Sequence, residues 1–232
     1  AMTRSIDESL TRLQTDRIVL FYMHRFDPKV PIEDMVGALA RAIEAGKIGG
    51  YGVSEWSAAH IREAHAVHPM AAVQTEYSLW TRQPEIAVLE TTRELGIAFV
   101  AFSPVARGAL GGELGDEPQF GARDIRAGMP RFSSEHWPAN RALIARFEAL
   151  AERNGLAPGQ LALAWVLAQG PHVHAIPGTT SIAHLEENFA TLSLDIPAAV
   201  LDEAGALINQ ETVSGPRYSP SMQASIDTED FA

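Results

Sequence analysis

Short apolar runs alternate with amphipathic helical segments along the chain, and this alternation constrains the fold more than any other feature of the sequence. The apolar runs lie at 17–23, 48–53, 71–75, 97–102 and 173–176. Nearly continuous apolar content over so few residues is typical of strands that are covered on both faces. The segments with helical periodicity lie at 31–46, 57–67, 84–95, 139–154, 158–168, 181–190 and 197–209. The pattern predicts an α/β fold with a sheet of parallel strands.

Two stretches lack both patterns. The segment 105–138 is rich in Gly, Pro, Arg and Phe. A loop of that length within a compact domain usually has a function, so we expect a lid or a binding loop. The tail 210–232 is predicted to be irregular.

The composition argues against several classes of partner. The formal net charge of −11 disfavours nucleic acid and anionic lipid as main partners. No uncharged apolar stretch approaches 18 residues, and the opening AMTRSIDESL has no apolar core, so we expect neither a membrane span nor a signal peptide. The absence of cysteine suits a cytoplasmic protein. His172 and His174 have no carboxylate at ligand spacing, so we expect no metal site.

The apolar runs end in groups suited to binding. In order along the chain these are His24, Ser54-Glu55, Gln74 with Tyr77, Phe102-Ser103 and Gly178-Thr179. Ligands of parallel α/β folds bind at the carboxyl ends of the strands. Taken singly, His24 could bond to a neighbouring backbone and Ser54 could cap the next helix. Five such ends along one edge make a ligand site the better interpretation.

The stretch AIPGTTSIAHLEEN passes from a strand into a helix through Pro177-Gly178. Thr179, Thr180 and Ser181 place hydroxyl and N–H groups at the start of that helix, where an anion is favoured. The alternative is an ordinary cap by Ser181. The stretch alone does not decide between a phosphate site and a cap.

These residues resemble the aldo-keto reductase family over essentially the whole chain. The segments that carry the resemblance are, in order, SLTRLQTDRIVLFYMHRFDP, GKIGGYGVSE, AVQTEYSLWTRQPE, ELGIAFVAFSPVARGAL, FGARDIRAGMPRF, LALAWVLAQG and AIPGTTSIAHLEEN. Any one of them alone would be a weak signal, whereas several together in order are specific.

The resemblance implies a (β/α)8 TIM barrel that reduces aldehydes or ketones to alcohols with NADP(H) or NAD(H). It implies that His24 orients the substrate carbonyl, that Ser54 and Gln74 hold the nicotinamide carboxamide, and that Phe102 stacks on the nicotinamide ring. The other coenzyme-binding residues that it implies are Ser103, Val105, Arg107, Gly178, Thr179, Thr180, Ser181, His184, Glu187 and Asn188.

The sequence departs from the family pattern in two respects. The family's catalytic Asp, Tyr and Lys lie on strands that precede the one ending in His24, so we expect residues 1–232 to form a single, partial barrel that lacks the first three strands. GTTSIAH contains no Arg or Lys to pair with a 2′-phosphate, only His184, which leaves the choice between NADP(H) and NAD(H) open. Three explanations remain open for the lack of the first three strands: an incomplete gene, an amino-terminal portion outside this sequence, or a second chain that completes the barrel.

The expected function is NAD(P)H-dependent reduction of a small-molecule carbonyl, with activity crippled in this chain alone because the proton donor is lacking. The alternative is a non-catalytic nicotinamide-nucleotide-binding or regulatory module. An open doubly wound sheet is a third, less favoured interpretation. Open sheet edges would be covered by self-association or by a completing chain.

Overall fold

A computed structural model of the chain describes residues 2–231 and contains one five-stranded sheet. The strands are β1 (Phe21–Met23), β2 (Tyr51–Ser54), β3 (Ala72–Glu76), β4 (Ala98–Phe102) and β5 (Val173–Ile176). Each coincides with one of the predicted apolar runs, or overlaps it, and their order in the sheet is β1-β2-β3-β4-β5. The pairs β1–β2 and β2–β3 are both parallel. The prediction of an α/β fold with parallel strands is confirmed.

Nine helices accompany these strands within the described residues. They are α1 (Met2–Leu13), α2 (Ile32–Glu44), α3 (Ala58–Val67), α4 (Val88–Glu94), α5 (Trp137–Arg153), α6 (Pro158–Leu167), α7 (Ile182–Ala190), α8 (Ala198–Leu207) and α9 (Pro220–Gln223). The periodicity of the sequence predicted α2 to α8 but neither α1 nor α9. Of the residues of α1, only Ile6 is buried. None of the helices in residues 2–231 is both long enough and apolar enough to cross a membrane.

Helix α2 shows how local sequence sets an element of this fold. Pro31 supplies the φ of −55° that leads into the helix, and Glu33 and Asp34 lie in the first turn, where negative charge is favoured. Val36 and Leu39 point inward and are fully buried. The chain leaves the helix through Gly46 at φ 74°, a conformation that costs glycine little.

The chain divides into two compact units, and β3 and β4 contribute residues to both. The first unit comprises the described residues up to Thr75, Pro84–Val100 and those from Ser225 onward. In it, α2 packs against α1 and α3, and α3 packs against α4. The second unit comprises Glu76–Gln83 and Ala101–Ala224. In it, α6 packs against β5, α5, α7 and α8.

In the first unit, the end of the tail forms hydrogen bonds to the N-terminus of α3. Asp227 Oδ2 accepts the backbone N–H of Ser57 at 2.8 Å and lies 2.7 Å from Nδ1 of His60. Glu229 Oε1 accepts the N–H of Ala58 at 2.8 Å. The backbone N–H groups of Asp227 and Thr228 both donate to the carbonyl oxygen of Glu55. Residues remote in sequence therefore cap this helix.

In the second unit, the segment 105–138 contains three short 3₁₀ turns before α5 begins at Trp137. The ring of Phe132 lies 5.5 Å from that of Trp137, 5.4 Å from that of Phe120 and 6.3 Å from that of Trp80. Trp80, Phe132 and Trp137 are buried. Three of the four rings are thus buried together, and the segment contributes Phe132 and Trp137 to this packing.

Candidate functional site

Three of the predicted site residues lie on adjacent strands of the first unit, His24 and Ser54 at the carboxyl ends and Gln74 in the middle of β3. His24 follows the last residue of β1 and is exposed. Ser54 ends β2, is buried, and stands opposite Gln74 of β3 in the parallel register. Because Met23 is paired with Val53, the strand ends that carry His24 and Ser54 are also level with each other.

Arg25 links two of these strand ends, a contact that the sequence analysis missed. Its Nη1 donates to Ser54 Oγ at 3.1 Å and to the carbonyl oxygen of His24 at 2.9 Å. The alternative in which Ser54 caps the next helix is wrong, because Ser57 occupies the N-cap of α3. The only sequence signal for Arg25 was a cation immediately after the strand-end histidine.

A cleft of about 920 Å³ in the second unit is lined by every predicted site residue from Phe102 onward. The predicted residues that line it are Phe102, Ser103, Val105, Arg107, Gly178, Thr179, Thr180, Ser181, His184, Glu187 and Asn188. They come from two places, the turn that follows β4 and the passage from β5 into α7. A cleft of this size is within the usual range for small-molecule and cofactor sites.

The turn after β4 has a left-handed backbone at residues that are not glycine. Ser103, Ala106 and Arg107 have φ values of 52°, 53° and 55°. Such a conformation costs roughly 1–2 kcal/mol per residue unless the residue is glycine. Backbone strain of this kind persists where the surrounding structure enforces it, and it is common at ligand sites.

The start of α7 is capped as the sequence analysis allowed. Ser181 Oγ accepts the N–H of His184 at 3.3 Å, and Thr179 Oγ1 accepts the N–H of Ser181 at 3.0 Å. The first turn of a helix still presents further N–H groups that have no partner within the helix. The cap and an anion site are therefore compatible at this position.

Charged groups of both signs line the cleft. His184 Nε2 lies 3.1 Å from Glu113 Oε1. The guanidinium of Arg126 binds both carboxylate oxygens of Asp124, and its side-chain hydrogen bonds lower the pKa of Asp124 to about 2. Arg126 is therefore already neutralised by its own neighbour.

Arg107 belongs to a buried cluster centred on Glu76, the last residue of β3. Glu76 Oε2 accepts from Arg107 Nη2 at 2.9 Å, from Arg217 Nη2 at 3.0 Å and from the hydroxyl of Tyr218 at 2.6 Å. Glu76, Arg217 and Tyr218 are at most 6% exposed. We call Glu76, Arg107, Arg217 and Tyr218 the Glu76 cluster.

The surroundings of Glu76 and Tyr218 fix the protonation states of both groups. Burial raises the pKa of Glu76, but Arg217 and Arg107 outweigh this effect, and the pKa lies below its ordinary value. Burial, followed by the negative charge of Glu76, raises the pKa of Tyr218 to about 12. The carboxylate is therefore ionised and the phenol neutral at pH 7.

Neither Glu76 nor Arg217 was predicted from the sequence to be a site residue. A charged residue inside the run QTEYSLW was the available signal, because such a residue is rarely buried without partners. Among residues 2–231 there is no group of three or more His, Asp or Glu side chains that could hold a metal ion.

Comparison with known proteins places these observations in a family. The sequence profile described as the Aldo/keto reductase family matches residues 1–209. An aldo-keto reductase of Strobilurus tenacellus is 43% identical over 223 residues, which cover 95% of this chain and 66% of that protein. The NADP(+) aldo-keto reductase yakc of Schizosaccharomyces pombe is 42% identical over 226 residues, which cover 96% of this chain and 66% of that protein.

Solved structures agree with the sequence comparison. A glycerol dehydrogenase from Gluconobacter oxydans superposes with a TM-score of 0.84 at 26% identity, over 94% of this chain and 66% of that one. A thermostable aldo-keto reductase in complex with the inhibitor epalrestat gives a TM-score of 0.71 at 26% identity, over 89% of this chain and 65% of that one. The chain thus spans about two thirds of the length of the relatives that it matches. By sequence and by its TIM-barrel type of fold, it belongs to the aldo/keto reductase family.

Proposed function

We propose that this chain binds a nicotinamide dinucleotide, NADP(H) or NAD(H), and belongs to a protein that reduces aldehydes or ketones with it. The observation that carries the proposal is the cleft in the second unit, in which hydroxyl groups, the first turn of α7 and the Arg107 guanidinium line one space. These groups are the ones that bind phosphate well, through N–H and O–H donors and a guanidinium.

The chemistry of the cleft fits the phosphate-bearing part of a dinucleotide. Arg107 Nε is buried and makes no hydrogen bond within residues 2–231, and such a donor beside a cleft is often completed by a ligand or water. An added Cβ at Gly178 would meet no atom within 4 Å, so the space next to the strand end is open. In this proposal Ser103, Val105 and Arg107 line the pyrophosphate, and Gly178 to Ser181, His184, Glu187 and Asn188 surround the adenosine end.

In the first unit, this proposal assigns the binding of the nicotinamide carboxamide to the Ser54 hydroxyl and the Gln74 amide. In the second unit, it assigns stacking on the nicotinamide ring to Phe102, which lines the cleft. The exposed imidazole of His24 donates a hydrogen bond to the substrate carbonyl oxygen. When bound, the reduced coenzyme would supply a hydride to the carbonyl carbon, and the oxygen would take a proton from water to complete the alcohol.

The choice between the two coenzymes depends on the first turn of α7. A 2′-phosphate is held best by Arg or Lys, whereas this turn offers His184, which already lies 3.1 Å from Glu113. The relative from Schizosaccharomyces pombe carries NADP(+) in its name. Both coenzymes are therefore included in the test.

The test is a titration of the chain with NADPH and with NADH, in which the melting temperature is measured at each coenzyme concentration. A ligand at about 100 times its Kd stabilises the folded state by about 2.7 kcal/mol. For a domain of about 150–250 residues, this raises the melting temperature by roughly 5–10 °C. If neither coenzyme raised the melting temperature, that result would contradict the proposal.

A matched pair of glycine substitutions tests where the coenzyme binds. Gly178→Val places a side chain in the cleft, whereas Gly121→Val places one in the loop outside it, and a Cβ at either position meets no atom within 4 Å. We expect Gly178→Val to abolish the coenzyme-induced shift and Gly121→Val to retain it. Equal shifts in both variants would exclude this cleft as the binding site.

Oxidation of NADPH in the presence of a panel of aldehydes distinguishes an enzyme from a binding module. Turnover that is lost in His24→Gln, with the coenzyme-induced shift retained, supports carbonyl reduction. Since the activity of this chain alone is expected to be crippled, coenzyme binding without turnover would leave the two functions undecided.

A further inference from the structure

The Glu76 cluster reaches the wall of the cleft through one member only. Of its four residues, Arg107 alone lines the 920 Å³ cleft. Glu76 and Arg217 lie behind it and are 3% exposed. A substitution in the cluster would therefore affect a ligand in the cleft through Arg107.

Arg107 brings a guanidinium to the wall of the cleft. The ionised Glu76 carboxylate faces the guanidinium groups of Arg107 and Arg217, and the Tyr218 hydroxyl is neutral. A guanidinium at the wall of a cleft suits a phosphate-bearing ligand. Arg126, which also lines the cleft, binds the carboxylate of its neighbour Asp124 at 2.6 Å.

Arg107 needs an external constraint to hold one position. An arginine side chain loses up to about 2 kcal/mol of rotamer entropy when it is fixed. Its Nη2 is held from two directions, by Glu76 Oε2 at 2.9 Å and by the Tyr218 hydroxyl at 2.7 Å. Tyr218 in turn donates to the same Glu76 oxygen at 2.6 Å, so the carboxylate organises both contacts.

We propose that Glu76 is a positioning residue, which holds the Arg107 guanidinium at the wall of the cleft so that Arg107 binds the phosphate groups of the dinucleotide. This inference rests on the proposed function. Glu76 itself does not touch the ligand, so its whole effect on binding passes through Arg107.

The test is a double-mutant cycle on the Kd of the coenzyme that the unmodified chain binds more tightly, NADPH or NADH, measured by fluorescence titration of the full chain. Arg107→Met removes a charge-assisted contact, which is worth about 1.5–3 kcal/mol, or a loss of roughly 10- to 150-fold in affinity. We expect Glu76→Gln to weaken binding by about 10-fold on its own. In the Arg107→Met background, Glu76→Gln is expected to cause no further loss, because the two residues act in series.

Two further variants separate positioning from general stability. Glu148→Gln removes the carboxylate of another partly buried pair in the same unit, 2.9 Å from Arg141 and away from the cleft, and is expected to leave the Kd unchanged. Glu76→Asp keeps the charge and is expected to recover part of the affinity. If Glu76→Gln does not fold, Glu76→Asp takes its place in the cycle, with a smaller expected loss that again disappears in the Arg107→Met background.

The outcomes are distinct. Binding of neither NADPH nor NADH by the unmodified chain would overturn the proposed function and this inference with it. Binding by the unmodified chain that is unaffected by Glu76→Gln, or by Glu76→Asp where that variant replaces it, would overturn the inference alone. Additive losses in the double variant would also overturn it, because Glu76 would then act independently of Arg107.

Discussion

The tail is expected to stabilise the N-terminus of α3 more than the helix's own N-cap side chain does. Helix N-termini are usually capped by their own N-cap side chain, here Ser57, but its Oγ lies 3.5 Å from the N–H of His60, at the outer limit of a hydrogen bond. Asp227, 170 residues away, accepts the N–H of Ser57 at 2.8 Å. The shorter contact, with a negative charge at a helix N-terminus, is the stronger one.

Asp227→Ala is therefore expected to cost more stability than Ser57→Ala. Loss of a helix cap costs about 0.5–2 kcal/mol, and loss of the hydrogen bond to His60 costs about 1 kcal/mol more. A total of about 2 kcal/mol corresponds to a decrease in melting temperature of roughly 4–8 °C for a chain of this size. Ser57→Ala is expected to cost about 0.5 kcal/mol, since its contact to the backbone is long.

Denaturant unfolding followed by circular dichroism measures both values. Asp227→Asn, which keeps an acceptor and loses the charge, should fall between the two. Asp16→Ala is the matched control, because Asp16 is exposed, and it is expected to change stability by less than about 0.5 kcal/mol. A loss for Ser57→Ala that equals or exceeds the loss for Asp227→Ala would refute the assignment of the cap to the tail.

Three further predictions concern buried groups, each with a measurement of unfolding. Tyr51→Phe removes the hydroxyl that lies 2.9 Å from the carbonyl oxygen of His68 and 3.1 Å from that of Ala64, and should cost about 1–2 kcal/mol; no loss would show that these bonds contribute nothing net. Leu39→Ala, at a fully buried position, should cost about 2–5 kcal/mol, whereas Val19→Ala, at a position 83% exposed, should cost under about 0.5 kcal/mol in the same titration. Because the pKa of Glu76 is lowered by folding, its ionised carboxylate stabilises the fold fully above the unfolded pKa of about 4.5, and this stabilisation is lost as the pH falls through the lower folded pKa. The difference in unfolding free energy between the unmodified chain and Glu76→Gln should therefore shrink between pH 6 and pH 3. A constant difference would contradict this linkage.

The elements of the fold could be predicted because their signals are local. The strand Val173–Ile176 lies where the sequence places it, since Gly170-Pro171 and Pro177-Gly178 flank a short apolar run. Helix α6 begins at Pro158, as expected for a proline in the first turn. Periods of 2 and 3.6 residues are readable from one sequence because they depend on neighbouring positions only.

The contacts that organise the site could not be predicted in the same way. Glu76 is separated from Arg107 by 31 positions and from Arg217 by 141, and no periodicity links them. The same holds for Asp227 and Ser57. The resemblance to a family supplied the positions around the cleft, whereas the partners behind that wall belong to the three-dimensional packing of this chain.

The left-handed turn after β4 has a consequence for engineering this protein. Glycine at position 103 would relieve the strain that Ser103 carries at φ 52°, a gain of about 1 kcal/mol, and it would remove a hydroxyl that lines the cleft. A library screened for heat resistance would accumulate glycine there, and, under the role in coenzyme binding that we propose for Ser103, one screened for coenzyme affinity would keep serine. The residue that emerges at position 103 therefore shows whether the library was selected for thermal stability or for coenzyme affinity.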